Sequence, residues 1–373
     1  MNYSLLHTPD GVKDYYGKEY ASRMLLEKCL HRKLLSFGYE DIRTPSFEYI
    51  EIFSDEASRA TSSELYKFFD KENRTLVLRP DFTPSIARCV AKYFPEDPTP
   101  RRFSYHGNVF TNTSTLQGKL CEEIQMGAEL IGDGSVQADA EMIALVAEAL
   151  SEAGLKEFQI SIGEVDYFKG LCEEAGLDPQ TEDKLREYIT GKNIFAAQEL
   201  LESRGLPEEH VRKLLEIGNS FEDHGDLSVL KQNAANERSV KAIERLEHLY
   251  GILEHYGVTD RISFDLGMLG KHGYYTGVIF KAFTYGVGRP VASGGRYDSL
   301  LPLFGKNAPA IGFVLRIDDL AEALNRVKSL PCPKDDRVIV FYDTHDDDSY
   351  GKALAEAQKL RSEGKNVILT PAT

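Results

Sequence analysis

The runs RRFSYHGNVF (101–110) and EEIQMGAELIG (122–132) are each long enough for a full strand, with only a polar loop, 111–120, between them. Such neighbours pair as antiparallel strands, so the chain must supply a sheet and a core that buries at least one face of the pair. The flanking segments extend that framework. TLVLRPDFT (75–83) reads as a strand feeding a helix after Thr83, and EFQISIG (157–163) as a further strand. Helical spacing over 18–37 groups Met24, Leu25, Leu30, Leu34 and Leu35, and Gly38 suits the left-handed position that ends a helix. A second helix carries Val136, Ala140, Ile143, Ala147 and Leu150 on one face, while YEDIRTPSFEYIEIF (39–53) predicts a strand broken by Pro45.

From 166 to 256 the texture changes to short amphipathic helices, with 19 acidic against 11 basic side chains. Strand signals return in RISFD, GYYTGVIFKAF, RPVASGG and APAIGFVL, and after Pro331 DRVIVFYD, a helix over 349–363 and NVIL begin a β-α-β unit. The expected fold class is α+β, an antiparallel sheet flanked by helices. Residues 1–165 and 257–330 form two halves of one core, 166–256 an all-helical insertion, and 331–373 a partial α/β segment.

Composition bounds the function. The net charge of −15 disfavours an extended nucleic-acid footprint. No apolar run approaches the ~18 residues of a membrane span, and MNYSLLHTPDGVKD lacks a signal-peptide layout. Five scattered cysteines (Cys29, Cys89, Cys121, Cys172 and Cys332), never in a C-x-x-C, point to reduced thiols in a cytoplasmic protein and away from zinc or disulfides.

Six stretches, in order, resemble histidyl-tRNA synthetases, members of the class II aminoacyl-tRNA synthetases. GYEDIRTPSFEYIEIF is similar to motif 1, the dimerisation element; LVLRPDFTPSIAR and GNVFTNTSTLQGKLCEEIQMGAELIG to motif 2; IGFVLRIDDL to motif 3. MLGKHGYYTGVIF and GGRYDSLL resemble the two histidine-specific signatures. The resemblance spans about 6–330 and implies a class II synthetase-like core. It also implies a histidine pocket built from Asp81, Thr83, Gln125, Glu129, Tyr274 and Tyr275. Gln125 and Glu129, four apart on a strand, share a face. Of the two tyrosines, alternation along a strand would send one into the core.

Three arginines that the family uses for nucleotide and acyl-adenylate fall on Thr111, Gly270 and Asp319, a change from +3 to −1. Each arginine–phosphate pair contributes roughly 3 kcal/mol at an effective dielectric of ~20, so the loss is on the order of 10 kcal/mol. Lys119, Lys271 and Arg316 lie near in sequence, but lysine lacks the bidentate fork. This pattern most resembles the synthetase paralogues that regulate ATP phosphoribosyltransferase. That resemblance implies a non-catalytic subunit required for the first step of histidine biosynthesis and for its feedback regulation. It further implies a short-form catalytic subunit as partner, L-histidine as ligand, self-association through the motif 1 region, and no cofactor. The alternatives are a truncated histidyl-tRNA synthetase and a tRNA-sensing scaffold.

Blander readings account for other features. His106 and His272 are lone histidines, and THDDDS (344–349) suits a helix N-terminus better than a metal site. GVGRP and GGRYD lack a phosphate-loop pattern. Histidine-dependent ATP–pyrophosphate exchange is expected at background, and clear exchange would revive the synthetase reading.

Overall fold

The computed structural model describes residues 6–53, 57–58, 60–113, 120–218, 221–223, 227–270 and 274–372. In chain order the first elements are α1 (Gly17–Ser36), β1 (Glu40–Asp41), β2 (Phe47–Tyr49), β3 (Lys67–Phe69), β4 (Thr75–Leu78) and α2 (Thr83–Tyr93). The long hairpin β5 (Arg101–Phe110) and β6 (Glu122–Ile131), then α3 (Val136–Glu152) and β7 (Gln159–Glu164), complete the first half. Next come α4 (Val165–Glu174), α5 (Pro179–Thr190), α6 (Ile194–Ser203), α7 (Glu208–Ile217), β8 (Phe221–Asp223), α8 (Ser228–Asn233) and α9 (Glu237–Tyr256). The remainder is β9 (Ile262–Asp265), β10 (Val278–Phe283), β11 (Ala292–Arg296), α10 (Leu300–Leu303), β12 (Ala310–Arg316), α11 (Ile317–Arg326), β13 (Val338–Tyr342), α12 (Asp347–Ser362) and β14 (Val367–Pro371).

Nine strands form one sheet in the order β1-β5-β6-β12-β11-β10-β7-β9-β8. Only β1–β5 and β7–β9 are parallel; the other pairs are antiparallel. The expected hairpin is there in full, in register from Arg101 opposite Ile131 to Phe110 opposite Glu122. β12 then pairs with β6 on its other side, so β6 is interior and apolar contacts close over it. α3 is buried around most of its surface, not along one stripe, because it lies within the main core.

Three expectations need correction. On α1 the buried face is Ser22, Arg23, Leu26, Leu30 and Leu34; Met24, Leu25 and Leu35 face solvent, since a 3.6-residue period through Leu30 and Leu34 reaches 23 and 26. Gly38 ends this helix as expected, with φ +81°. The 39–53 stretch is not one broken strand. β1 edges the large sheet, β2 joins a separate three-stranded sheet of order β2-β4-β3, and 50–53 form a 3-10 turn. The 166–256 segment is not all-helical, because β8 adds an edge strand beside β9.

The sheet β2-β4-β3 leaves Phe47, Tyr49, Phe68 and Phe69 exposed, with Phe47 and Phe68 edge-to-face at 5.7 Å. β13 and β14 pair in parallel with α12 against them. Asp346 caps α12, so the acidic run is a helix start, and no cluster of three metal-ligating side chains occurs among the described residues. Nor is any described helix long and apolar enough to cross a membrane.

Candidate functional site

Glu129 lies at the middle of the sheet, 1% exposed, on the face of β6 that looks toward α2. Its Oε1 accepts from the Thr83 hydroxyl at 2.7 Å, and its Oε2 accepts a short hydrogen bond from the Tyr297 hydroxyl. Gly312 stands opposite in β12, where any Cβ would overlap that carboxylate, so the charge is housed only because the partner strand offers bare backbone. Burial first, then Glu129, push the Tyr297 phenol well above its usual value. The hydroxyl therefore stays a donor to the carboxylate.

Thr83 starts α2, and Asp81 turns back to accept the Thr83 backbone N–H at 3.1 Å. Tyr274 and Tyr275 lie outside any strand, so alternation does not apply. Both are buried, they meet edge-to-face at 5.2 Å, and both line the same cavity as Thr83, Tyr105 and Tyr297. Gln125 shares the β6 face; neither it nor Asp81 nor Glu129 lines the cavity, which Glu129 meets through its bonds to Thr83 and Tyr297. Between Gln125 and Glu129 sits Gly127, close to the Tyr105 hydroxyl, which donates to the Phe313 carbonyl at 3.3 Å. Tyr105 stacks on Phe82 at 4.4 Å and thereby separates the two acceptors. Sequence alone does not single out Tyr297 and Tyr105; GGRYD and SYHGN hold them, and only the fold shows that both rings line one cavity and that Tyr297 reaches Glu129.

The cavity is nearly filled. Its volume is about 10 Å3, at the lower limit for one water and too small for an amino acid. The arrangement as it stands is a closed cluster in which Thr83 and Tyr297 serve the Glu129 carboxylate, while the buried Ser293 Oγ on the cavity wall makes no hydrogen bond among the described residues.

Each position where the resemblance expects a nucleotide arginine has a structural occupant. Gly270 has φ +70°, and a Cβ there would meet Tyr275 Cδ2 at 2.8 Å, so the room an arginine stem needs is taken by Tyr275. Thr111 donates its backbone N–H to the Cys121 carbonyl at 2.8 Å, at the root of the hairpin. Asp319 is buried and accepts from Arg289 Nε at 2.9 Å, while Arg289 also pairs with Glu123 at 2.6 Å. Burial raises the Asp319 carboxyl, and Arg289 opposes that rise. Arg316 donates to the Pro290 carbonyl at 3.0 Å. Lys119, Lys271 and His272 lie outside the described residues, and His106 pairs with Glu27 at 3.2 Å, away from the cavity.

The model of the histidyl-tRNA synthetase family matches residues 11–320. An ATP phosphoribosyltransferase regulatory subunit from Ruminiclostridium cellulolyticum is 37% identical over 97% of this chain and 86% of its own length. One from Acetivibrio thermocellus is 39% identical over 87% of this chain and 77% of its own. The chain belongs to the ATP phosphoribosyltransferase regulatory subunit family. A solved structure from Bacillus halodurans, described as an ATP phosphoribosyltransferase regulatory subunit/histidyl-tRNA synthetase, aligns with TM-score 0.88 and 32% identity, covering 98% of this chain and 93% of that one. Histidyl-tRNA synthetase from Nostoc sp. PCC 7120 shares the fold, with TM-score 0.80 at 22% identity over 97% of this chain and 85% of its own. The class II synthetase-like α+β fold of the regulatory subunit family is thus the fold of this chain.

A double-mutant cycle tests the closed cluster. Tyr297→Phe strips one donor from a buried carboxylate and should cost about 1–3 kcal/mol of stability. Combined with Glu129→Gln, which removes the charge, the loss should be clearly less than the sum, as read from urea unfolding midpoints. Strict additivity would show that the two side chains do not depend on one another.

Proposed function

We propose that the chain is a non-catalytic subunit that assembles with a short-form ATP phosphoribosyltransferase and senses L-histidine through the Glu129 cluster. One observation carries the reading. Where motif 3 would hold an arginine for ATP, the Asp319 and Glu123 carboxylates share the single guanidinium of Arg289. With its donors spent on these carboxylates, that guanidinium is not offered to a triphosphate. The histidine half of the pocket, by contrast, keeps Asp81, Thr83, Glu129, Tyr274 and Tyr275 beside Tyr297, with Gln125 set apart. A buried carboxylate flanked by hydroxyl groups suits an ammonium or an imidazole N–H.

Histidine must open this cluster to bind, because the cavity is too small for it. That requirement makes the site a switch: ligand selects an open form and shifts the population of the whole assembly toward it. The affinity is reduced by the fraction of molecules that are open. No cofactor and no nucleic acid enters this mechanism. All five cysteines are free thiols, which supports a cytoplasmic setting.

Co-expression with a short-form catalytic subunit should give one co-eluting complex whose turnover exceeds that of the catalytic subunit alone; separate elution refutes the assignment. In that complex Glu129→Gln should shift histidine inhibition to higher concentration, roughly ten- to a hundredfold for a lost charge-assisted hydrogen bond. An unchanged inhibition curve would move sensing elsewhere.

Self-association is proposed through the aromatic face of β2-β4-β3. Phe47, Tyr49 and Phe68 share one face of this small sheet and form an apolar surface of the kind that marks an interface, while Phe69 is exposed on the other face. Sedimentation should show a dimer for the parent chain and a monomer for Phe68→Asp with unchanged circular dichroism. A parent that sediments as a monomer at micromolar concentration refutes this.

A further inference from the structure

A cavity of about 320 Å3 opens among α9, the start of α4 and the Arg296 end of β11, and no residue of its lining is shared with the Glu129 cavity. That is the size of the smaller small-molecule sites. Glu164, Asp166, Arg238, Lys241, Arg245 and Arg296 supply most of its charge. The three guanidiniums are already engaged. Arg296 donates to Asp139 at 2.6 Å and to Asp298 at 3.1 Å, Arg245 to Asp139 and the Gly134 carbonyl, and Arg238 to Asp166 and Glu173.

Glu164 differs. It is 1% exposed and caps α4, its Oε1 accepting the Asp166 backbone N–H at 3.2 Å. Its Oε2 is buried and accepts no hydrogen bond among the described residues. Such orphans are rare in folded proteins. Burial, reinforced by the charges of Asp166 and Asp139, pushes the carboxyl up to about 8. A cation brought to it would favour ionisation, as an opposite charge does.

We propose that this cavity binds a small amino-acid zwitterion, whose protonated amine donates to Glu164 Oε2 and whose carboxylate meets Lys241 at the mouth. Once a cation ionises Glu164, the unmet valence at depth is an acceptor. No metal-ligating cluster occurs among the described residues. At the rim Lys241 is paired with Glu237 on the open surface of α9, with side chains 70% and 81% exposed. A pair that exposed is easily exchanged for a ligand carboxylate. The inference is independent of the Glu129 reading, because the two cavities share no residue.

Calorimetric titration of the full chain with each standard amino acid, and with ethanolamine and acetate as half-ligands, tests the proposal. At least one amino acid should bind more tightly than either half-ligand. Glu164→Gln keeps the acceptor for the Asp166 N–H and should weaken binding roughly ten- to a hundredfold. Lys241→Ala, at an exposed position where folding is not at stake, should weaken it severalfold. For amino acids other than histidine, Glu129→Gln should leave it unchanged, which assigns the signal to this cavity. The proposal is overturned if no amino acid binds, if ethanolamine alone binds as tightly, or if either cavity variant keeps the parent affinity. Loss of that binding in Glu129→Gln overturns it too, by moving the signal to the other site.

Discussion

A buried negative charge at the centre of the large sheet sets the terms for everything around it. Glu129 sits on an interior strand and is 1% exposed, and an isolated carboxylate in such surroundings is unstable without donors and space. Thr83 from α2 and Tyr297 from beyond β11 supply the donors, and Gly312 in β12 supplies the space. Three separate parts of the chain must therefore arrive in register before the charge is tolerated. The long β5–β6 ladder and the β6–β12 ladder provide that register. A one-residue slip in either would put the carboxylate on the wrong face.

The same logic explains the rest of the pocket. Tyr275 fills the space beside Gly270, Tyr105 fills the space beside Gly127, and both glycines leave room for a ring where a side chain would collide. Aromatic residues take up volume that a ligand would otherwise occupy. Farther along, the Arg289 guanidinium holds two carboxylates together at the start of α11. The result is a synthetase-like frame in which aromatic rings and paired charges occupy the interior around Glu129.

Much of this was legible from residue order. Alternation and length revealed the hairpin, helical spacing revealed α3, and ordered motif matches brought Asp81, Thr83, Glu129 and the tyrosine pair together. What escaped was decided by tertiary contact. Tyr297 stands in GGRYDSLL, a segment that resembles a histidine-specific signature, yet nothing local says that its hydroxyl reaches Glu129, 168 positions away in the chain. Gln125 looked equivalent to Glu129 by strand parity, yet Tyr105 divides them, and parity says nothing about a ring from the adjoining strand. The outward face of α1 was misread because Met24, Leu25 and Leu35 are apolar, while Arg23, which is charged, is the residue that is buried.

That buried arginine gives the frame a mechanical linkage. Asp318, in the first turn of α11, accepts from Arg23 at 2.7 Å, from the Tyr15 hydroxyl at 2.8 Å and from the Ile124 backbone N–H of β6 at 3.0 Å. One carboxylate thus ties the amino-terminal segment, the strand that carries Glu129 and the last helix of the core to a single point. A ligand that displaces β6 must either carry α1 with it or break these bonds, and both outcomes change the free energy of the outer surface where Met24, Leu25 and Leu35 lie. Asp318 thus joins the helix whose outer face carries Met24, Leu25 and Leu35 to the strand that carries Glu129, through three hydrogen bonds to one carboxylate.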